Sequence, residues 1–214
     1  MQCLHEFTIS RVSVKAGCSL TIPCNYDTKY TNHVKYLCKG AYWVSCSAEV
    51  KTNRPDDSGK FTISDDKTKK IFTVTINHLT NDDTGQYWCI VEIDNGRDHG
   101  GSFYLLGFLY ISLIVYISPQ GFIGDSMRIW FYSRNPGAVK WCRLDSSCAT
   151  VTSKSIDGTH LAINENPTDN FTVTMSGLRT ESSGWYYFVK ADLQMPVHLT
   201  VTERPSTSKY SITL

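Results

Sequence analysis

Cysteine and histidine are the residue types in this chain with the widest chemical range, and together they could suggest a metal centre. There are eight cysteines and six histidines among 214 residues. A structural zinc site needs CxxC-type pairs set against a second such pair, or histidines at short spacing. Neither pattern occurs, and the histidines are scattered as His5, His33, His78, His99, His160 and His198. The sequence therefore predicts no metal site.

Catalytic motifs are missing as well. The chain contains no GxSxG, HExxH, P-loop or GxGxxG sequence. The paired carboxylates Asp65-Asp66 and Asp82-Asp83 lie in turn-forming stretches, so we interpret them as structural and solvated. The net charge of +1 offers no basic face of the kind that nucleic acid requires. We expect neither an enzyme, nor a cofactor, nor a nucleic-acid partner.

An internal repeat organises the chain. FTVTI at 72–76 recurs as FTVTM at 171–175, and GQYWCI at 85–90 recurs as GWYYFV at 184–189, both at an offset of 99 residues. Upstream, GCSLTIPC (17–24) matches GDSMRIWF (124–131). Matching blocks in the same order with drifting offsets indicate two copies that differ in loop length, which predicts a duplicated domain.

The pattern inside each copy is typical of β-strands. Phe72, Val74 and Ile76 alternate with threonines, which gives one apolar and one polar face. Short strands separated by turn clusters such as RPDDSGK and NDDTG are typical of an antiparallel sandwich. The fold class predicted is all-β, with two tandem sandwiches.

The first copy carries a more specific signature. Cys24 and Cys89 are 65 residues apart, and Cys89 ends the stretch DDTGQYWC. A tyrosine two residues before the second cysteine, together with a B–F disulfide, marks the immunoglobulin sandwich. The spacing leaves room for C′ and C″ strands, which predicts the variable type. We also expect Lys60 to pair with Asp83 at the base of this domain.

The other cysteines fall into a second group. The spacings of Cys38 with Cys46 and of Cys142 with Cys148 suit bridges from strand C to the C′ region of each copy. Cys3 and Cys18 have no assigned partner. Free thiols, a third disulfide between strands A and B, and an intermolecular bridge all stay open for these two.

Three stretches of the first copy carry a family resemblance: KYLCKGAYWVSC (35–46), SGKFTISDDKTKKIFTVTI (58–76) and LTNDDTGQYWC (79–89). They resemble the polymeric immunoglobulin receptor and its CMRF-like leukocyte relatives. VKWCR, GDSMRIW and DLQMPVHLTV resemble the second domains of the same group, so the resemblance covers about residues 8–202. It implies an immune receptor at the plasma membrane, on the extracellular side, or a secreted one. The ligands it implies are polymeric immunoglobulin, or phospholipids and other polar lipids.

The sequence departs from the group at two places. Leu37 stands where the group usually has the strand-C tryptophan, and we expect Trp43 and Trp88 to compensate for the smaller side chain. In the second copy both positions of the B–F disulfide are phenylalanine, Phe131 and Phe188. We expect these two rings to touch in a core that is bridged only by Cys142–Cys148.

The boundaries that follow are 1–108 for the first V-type domain, 109–203 for the second V-like domain and 204–214 for the start of a stalk. The uncharged run FYLLGFLYISLIVYI (103–117) is either the last strand of one domain joined to the first strand of the next, or a membrane span. We favour the strands. A signal peptide, a transmembrane segment and a signalling tail or adaptor are expected outside this chain.

The candidate ligand surface lies on the BC, C′C″ and FG loops of the first domain, which gather at one end of a V-type sandwich. Cationic and aromatic groups there suit an antibody surface or an anionic head group. The candidate residues are Lys29, Tyr30, Asn32, His33, Lys35, Tyr42, Glu92, Asp94, Asn95 and Arg97. Asn170-Phe171-Thr172 is a glycosylation sequon. The alternative functions are a homophilic or structural adhesion module, or a truncated, non-signalling product of the family.

Overall fold

The computed structural model describes residues 11–13, 17–94, 96–106, 114–117, 120–133, 136–144, 146–166 and 170–205. Within these ranges the regular structure consists of β-strands and a few single turns of 3-10 helix. The strands form two sandwiches, one in each half of the chain. The chain is therefore all-β, with two tandem V-type immunoglobulin sandwiches.

The first domain has a front sheet and a back sheet. The front sheet has the order β1-β8-β7-β3-β4, and the back sheet has the order β2-β6-β5. Its strands are β1 (Arg11–Ser13), β2 (Leu20–Asn25), β3 (Lys35–Lys39), β4 (Ser47–Lys51), β5 (Phe61–Asp66), β6 (Ile71–Ile76), β7 (Gly85–Val91) and β8 (His99–Leu106). The expected C″ strand is missing, because residues 52–60, all of which are described, form turns between β4 and β5.

The second domain repeats this plan with two more described strands in its back sheet, one at each edge. The front sheet has the order β10-β18-β17-β12-β13 and the back sheet β14-β15-β16-β11-β9. The strands are β9 (Ile114–Ile117), β10 (Gln120–Phe122), β11 (Ser126–Tyr132), β12 (Val139–Arg143), β13 (Cys148–Thr150), β14 (Ser155–Ile156), β15 (Thr159–Asn166), β16 (Asn170–Ser176), β17 (Gly184–Lys190) and β18 (Leu193–Thr202).

The core of the first domain is built around the disulfide Cys24–Cys89. Leu37 is fully buried there and lies opposite Cys89 in the β3–β7 ladder. The expectation that Trp43 and Trp88 compensate for this leucine is wrong. Tyr87 and Cys89 point into the core, so Trp88 between them points out of the sandwich, where it stacks with Trp43.

The core of the second domain is aromatic where the first has its disulfide. Phe131 and Phe188 are both buried, and their rings stack with centroids 3.9 Å apart. Trp141 packs against Phe131 and stacks on Tyr186. The expected contact between the two phenylalanines is confirmed, and Cys142–Cys148 bridges β12 to β13 at the edge of the front sheet.

Each sandwich is closed at its base by a tyrosine hydroxyl that donates to the backbone. Tyr87 donates to the carbonyl of Asp83 at 2.8 Å, and Tyr186 donates to that of Ser182 at 3.0 Å. In the first domain Lys60 Nζ also reaches Asp83 Oδ2 at 2.6 Å, which confirms the expected ion pair. The second domain replaces that pair with a buried hydrogen bond of 2.8 Å between Thr159 and Ser182.

The join between the domains is only partly described. Residues 103–106 end β8 and residues 114–117 form β9, as the strand interpretation expects, while 107–113 lie outside the described residues. Within the described part of the chain, no helix is both long and apolar enough to cross a membrane. One contact between the two domains joins Arg11 Nη1 to Asp192 Oδ2 at 2.5 Å.

Candidate functional site

The BC loop presents its aromatic residues next to the beginning of β8. It contains a short 3-10 helix, Thr28–Tyr30, whose start is capped by the Asp27 carboxylate. The Tyr30 ring lies 5.5 Å from that of His33 and 5.6 Å from that of His99. Lys29 is exposed, with its ammonium over the Tyr30 ring. Tyr30 and His33 thus form one cluster, which also includes His99, a residue that sequence reasoning missed.

Lys35 corrects the expected surface, because it lies inside the domain. Its side chain is fully buried, and Nζ donates to Asp65 Oδ2 and to the Thr31 carbonyl, each at 2.9 Å. The ammonium also lies 4.2 Å from the centroid of the Tyr26 ring. A buried cation is stable only when it is paired and hydrogen-bonded in this way. Lys35 therefore fixes the BC loop from within and is not an exposed contact.

The FG loop is tied to the front sheet by Asp98. This carboxylate accepts hydrogen bonds from Tyr36 Oη at 2.8 Å and from the Ile93 backbone N–H at 2.9 Å. Burial and the bond to Asp98 raise the pKa of Tyr36 to about 12, so its hydroxyl stays protonated at physiological pH. Glu92 pairs with Lys51 at 2.9 Å across the sheet.

Three more residues of the expected surface belong to the FG loop. Asp94 and Arg97 are exposed. Asn95 lies outside the described residues. The Arg97 guanidinium carbon is 5.5 Å from the centroid of the Trp43 ring, which comes from a different loop. This contact joins the FG loop to the loop between β3 and β4.

The loop between β3 and β4 is held against the outer face of the front sheet. The disulfide Cys38–Cys46 closes it, and Trp88 Nε1 donates to the Gly40 carbonyl at 2.8 Å. Trp43 stacks on Trp88 with centroids 6.4 Å apart. A Cβ at Gly40 would come within 2.8 Å of the Cys46 Cα, so only glycine fits this close approach.

Two apolar side chains project from this loop. Val44 is 97% exposed and Tyr42 is 72% exposed, although both flank the anchored Trp43. We refer to Tyr42, Trp43, Val44, Trp88 and Arg97 as the front patch. It combines exposed apolar groups with a cation on a constrained loop. Only Tyr42 and Arg97 were expected from the sequence; the run YWV inside a disulfide-closed loop was the available signal for Trp43 and Val44.

A separate groove lies at the BC-loop end of the domain. It is a cavity of about 340 Å³ between the BC loop, the turn after β4 and strand β5. Lys67 Nζ reaches Asn32 Oδ1 across one side at 3.4 Å. We call it the BC groove, and its polar lining residues are Asn32, His33, Thr52, Asn53, Asp65 and Lys67. Asn32 and His33 of the expected surface therefore belong here, away from the front patch.

Two other sequence features can be placed. Asn170 opens β16 and is exposed, next to residues 167–169, which lie outside the described ranges. Cys18 is an exposed free thiol, and Cys3 lies outside the described residues. No three His, Cys, Asp or Glu side chains among the described residues are grouped so that they could hold a metal ion.

Comparison with known proteins agrees with the fold of the first domain. Residues 8–106 match the immunoglobulin V-set domain. Human CMRF35-like molecule 2 is 38% identical over 93 residues, which cover 42% of this chain and 45% of that protein. Mouse CMRF35-like molecule 3 is 42% identical over 74 residues, covering 33% and 30% respectively. The match thus spans less than half of either curated relative.

Among solved structures, the teleost fish polymeric Ig receptor ectodomain is 29% identical, with 92% of this chain and 98% of that chain covered and a TM-score of 0.44. The fold defines a pair of immunoglobulin modules. Its first domain is a V-set immunoglobulin domain, and CMRF35-like molecules are its homologues.

Proposed function

We propose that this chain is the ligand-binding ectodomain of an immune receptor, and that its front patch binds phospholipid at an exposed membrane surface. The family of the first domain is typical of cell-surface and extracellular proteins, which agrees with the three disulfides found among the described residues. The observation that carries the proposal is the pair of exposed apolar side chains, Tyr42 and Val44, on a loop that cannot fold away.

The anchors of the loop keep the side chains of Tyr42 and Val44 exposed to solvent. A single exposed apolar residue is common on protein surfaces. Two that are held together at a constrained loop tip favour an interaction surface. The bridge Cys38–Cys46 and the Trp43–Trp88 stack hold the backbone, so the tip cannot bury itself by local rearrangement. Insertion into the boundary between head groups and acyl chains would remove Val44 and part of Tyr42 from water.

Charge supports an anionic lipid. Arg97 is exposed and lies over Trp43, so its guanidinium stands beside the apolar tip. A cation at an anionic membrane surface contributes about 1 kcal/mol. The arginine would bind phosphate while the tip inserts, and a tyrosine beside them suits the interface because one end of its ring is polar.

The test is flotation of the full chain with vesicles of phosphatidylserine and phosphatidylcholine. Val44→Asp should weaken vesicle binding roughly tenfold or more, because burying a valine contributes about 1.5–3 kcal/mol. Arg97→Ala should weaken it about fivefold on anionic vesicles, from the roughly 1 kcal/mol per cation. Val151→Asp is the matched control, since Val151 is an exposed valine of the second domain.

Other outcomes distinguish the alternatives. Capture of polymeric IgM without vesicle binding would replace lipid by antibody as the ligand. Self-association at high concentration that Val44→Asp abolishes would favour homophilic adhesion. Binding to neither vesicles nor IgM, with a monomeric elution, would contradict the proposed function.

A further inference from the structure

The BC groove is a second concave surface of the first domain, and its chemistry differs from that of the front patch. Its volume of about 340 Å³ is near the lower end of the roughly 300–1,000 Å³ typical of small-molecule sites. Apolar side chains, Val34 and Ile63, contribute part of the wall. The rest of the lining is polar, and no exposed aromatic or apolar tip adjoins it among the described residues.

The wall of the groove is fixed by buried groups. Asp65 accepts from Lys35 Nζ at 2.9 Å and from Tyr26 Oη at 2.7 Å. Lys35 in turn holds the Thr31 carbonyl of the BC loop, and its backbone N–H donates to Thr52 Oγ1 at 3.1 Å. Three segments that line the groove are thus connected through one buried lysine. Because these segments are already fixed in the free protein, binding a ligand costs less conformational entropy.

The lining offers both hydrogen-bond donors and acceptors. Asn53 and Asn32 carry amides, Thr52 a hydroxyl, and Lys67 an ammonium, while the Asp65 carboxylate has acceptor capacity beyond its two bonds. The charge of Asp65 is already balanced by Lys35. Lys67 leaves the lining with one positive charge, but this ammonium is exposed to water and screened by salt, so hydrogen bonding contributes more to selectivity than charge does. The lining matches hydroxyl groups, each of which donates one hydrogen bond and accepts two.

His33 lines one side of the groove. Its Nδ1 is buried, and no hydrogen-bond partner for it exists among the described residues. Buried polar atoms without a partner are rare, and each one needs an explanation. Because Nδ1 is shielded from solvent, it is not counted among the groups that contact a ligand in the groove.

We propose that the BC groove binds a neutral, hydroxyl-rich ring about the size of one hexose. Vicinal hydroxyls of the ring bond to Asn53, Asp65 and Lys67, and its C–H face lies against Ile63. Two sources share this chemistry: a sugar unit of a glycan and the inositol ring of a lipid head group. This site is separate from the front patch and does not depend on vesicle binding there.

The experiment is saturation-transfer NMR on the full chain with methyl α-mannopyranoside, methyl β-galactopyranoside, methyl β-N-acetylglucosaminide and myo-inositol. At least one should receive saturation at millimolar concentration. A signal from a glycoside alone identifies a glycan, whereas a signal from myo-inositol alone identifies a lipid head group. Asn53→Leu and Lys67→Met should each weaken the binding at least tenfold.

The controls separate loss of binding from loss of folding. Lys69→Met is the matched variant, because Lys69 lies on the same hairpin but does not line the groove. It should bind as the wild type does. Lys67→Met should leave thermal unfolding and vesicle flotation unchanged, since Lys67 is exposed and outside the front patch. The proposal is overturned if none of the four probes binds, if Lys67→Met and Lys69→Met behave alike, or if N-acetylneuraminic acid or inorganic phosphate binds better than every neutral probe.

Discussion

At two positions of the second domain, phenylalanine replaces a pair of bridging cysteines. Phe131 and Phe188 stand where the first domain has Cys24 and Cys89, and their rings stack face to face at 3.9 Å. Losing a disulfide costs about 2–5 kcal/mol. Contact between two buried aromatic rings stabilises the fold by about 0.5–1.5 kcal/mol, in addition to the hydrophobic free energy of burying each ring. The paired replacement is therefore a rebuilt core, with Trp141 as its third member.

The residues that close the base of each domain differ in their response to pH. Burial by itself raises the pKa of Asp83, but hydrogen bonds from Lys60 and Thr80 outweigh it and leave the pKa below the usual 3.8. A lowered carboxyl pKa contributes stability above the unfolded value, and that stability is lost as the pH falls through the folded value. Each unit of lowering contributes about 1.4 kcal/mol.

We predict that grafting the neutral pair of the second domain onto the first removes this acid sensitivity. In the double variant Lys60→Thr with Asp83→Ser, thermal stability should fall less steeply below pH 4 than in the wild type. Thermal unfolding of the full chain, followed by circular dichroism at a series of pH values, measures the slope. The reverse graft, Thr159→Lys with Ser182→Asp, should steepen it. Equal slopes in all three proteins would contradict the assignment.

At the scale of the strands, the two domains place a buried lysine on opposite partners of the same ladder. In the β3–β7 pair, Lys35 lies opposite Val91; in the β12–β17 pair, Val139 lies opposite Lys190. The lysine and the valine have exchanged strands. Both lysines then reach a carboxylate on the next sheet, Asp65 on β5 in one case and Glu165 on β15 in the other.

The carboxylates differ in exposure, and this difference predicts unequal costs. The Asp65 side chain is 11% exposed, whereas that of Glu165 is 58% exposed and its oxygen is 3.9 Å from Lys190 Nζ. Lys35→Met should destabilise the chain by about 3–5 kcal/mol, because it leaves a buried charge without its partner.

Lys190→Met should be close to neutral, since Glu165 can turn to water and methionine can still pack on Phe171. Urea unfolding of the two variants measures how much free energy of unfolding each one loses. Equal losses would show that the exposure of the partner carboxylate does not determine the cost of removing the lysine. Lys140→Met is a suitable reference for a lysine replaced on an exposed site of the same sheet.

The strands themselves could be predicted better than the loops between them. Repeat offsets and alternation place β6, β7 and their counterparts in the second domain, because the side-chain period of two is a local property. The missing C″ strand could not be foreseen, since chain length leaves room for a strand without requiring one. Lys35 was assigned to the surface because its charge suggests exposure, whereas its burial depends on Asp65, which is thirty residues away in sequence.

The front patch shows the same limit at the proposed binding site. Tyr42 and Arg97 could be named from the sequence, since they belong to loops of a recognisable sandwich. Their contact through Trp43 could not, because it depends on which face of the front sheet Trp88 occupies. The BC groove depends in addition on the turn after β4, which contributes Thr52 and Asn53.

For the whole molecule, the outer faces of the two front sheets differ in what covers them. Trp88 of β7 forms part of the front patch, and at the repeat offset its counterpart on β17 is Tyr187. Tyr186 and Phe188 point into the second core, so Tyr187 points outward. It is nevertheless buried, and it belongs to the same apolar cluster as the core of the first domain, together with Cys142. The face that is open in one domain is thus covered in the other.

This arrangement predicts which change separates the domains. Tyr187→Lys should increase the radius of gyration measured by small-angle X-ray scattering, because a charge on the covered face favours solvent over the first domain. Asp192→Ala should leave it unchanged, since the ion pair with Arg11 is more than half exposed on both sides and such pairs contribute about 0.2–1 kcal/mol. Protection of β17 amides from hydrogen exchange checks that the lysine variant stays folded. A folded Tyr187→Lys protein with unchanged dimensions would show that the apolar cluster does not hold the domains together.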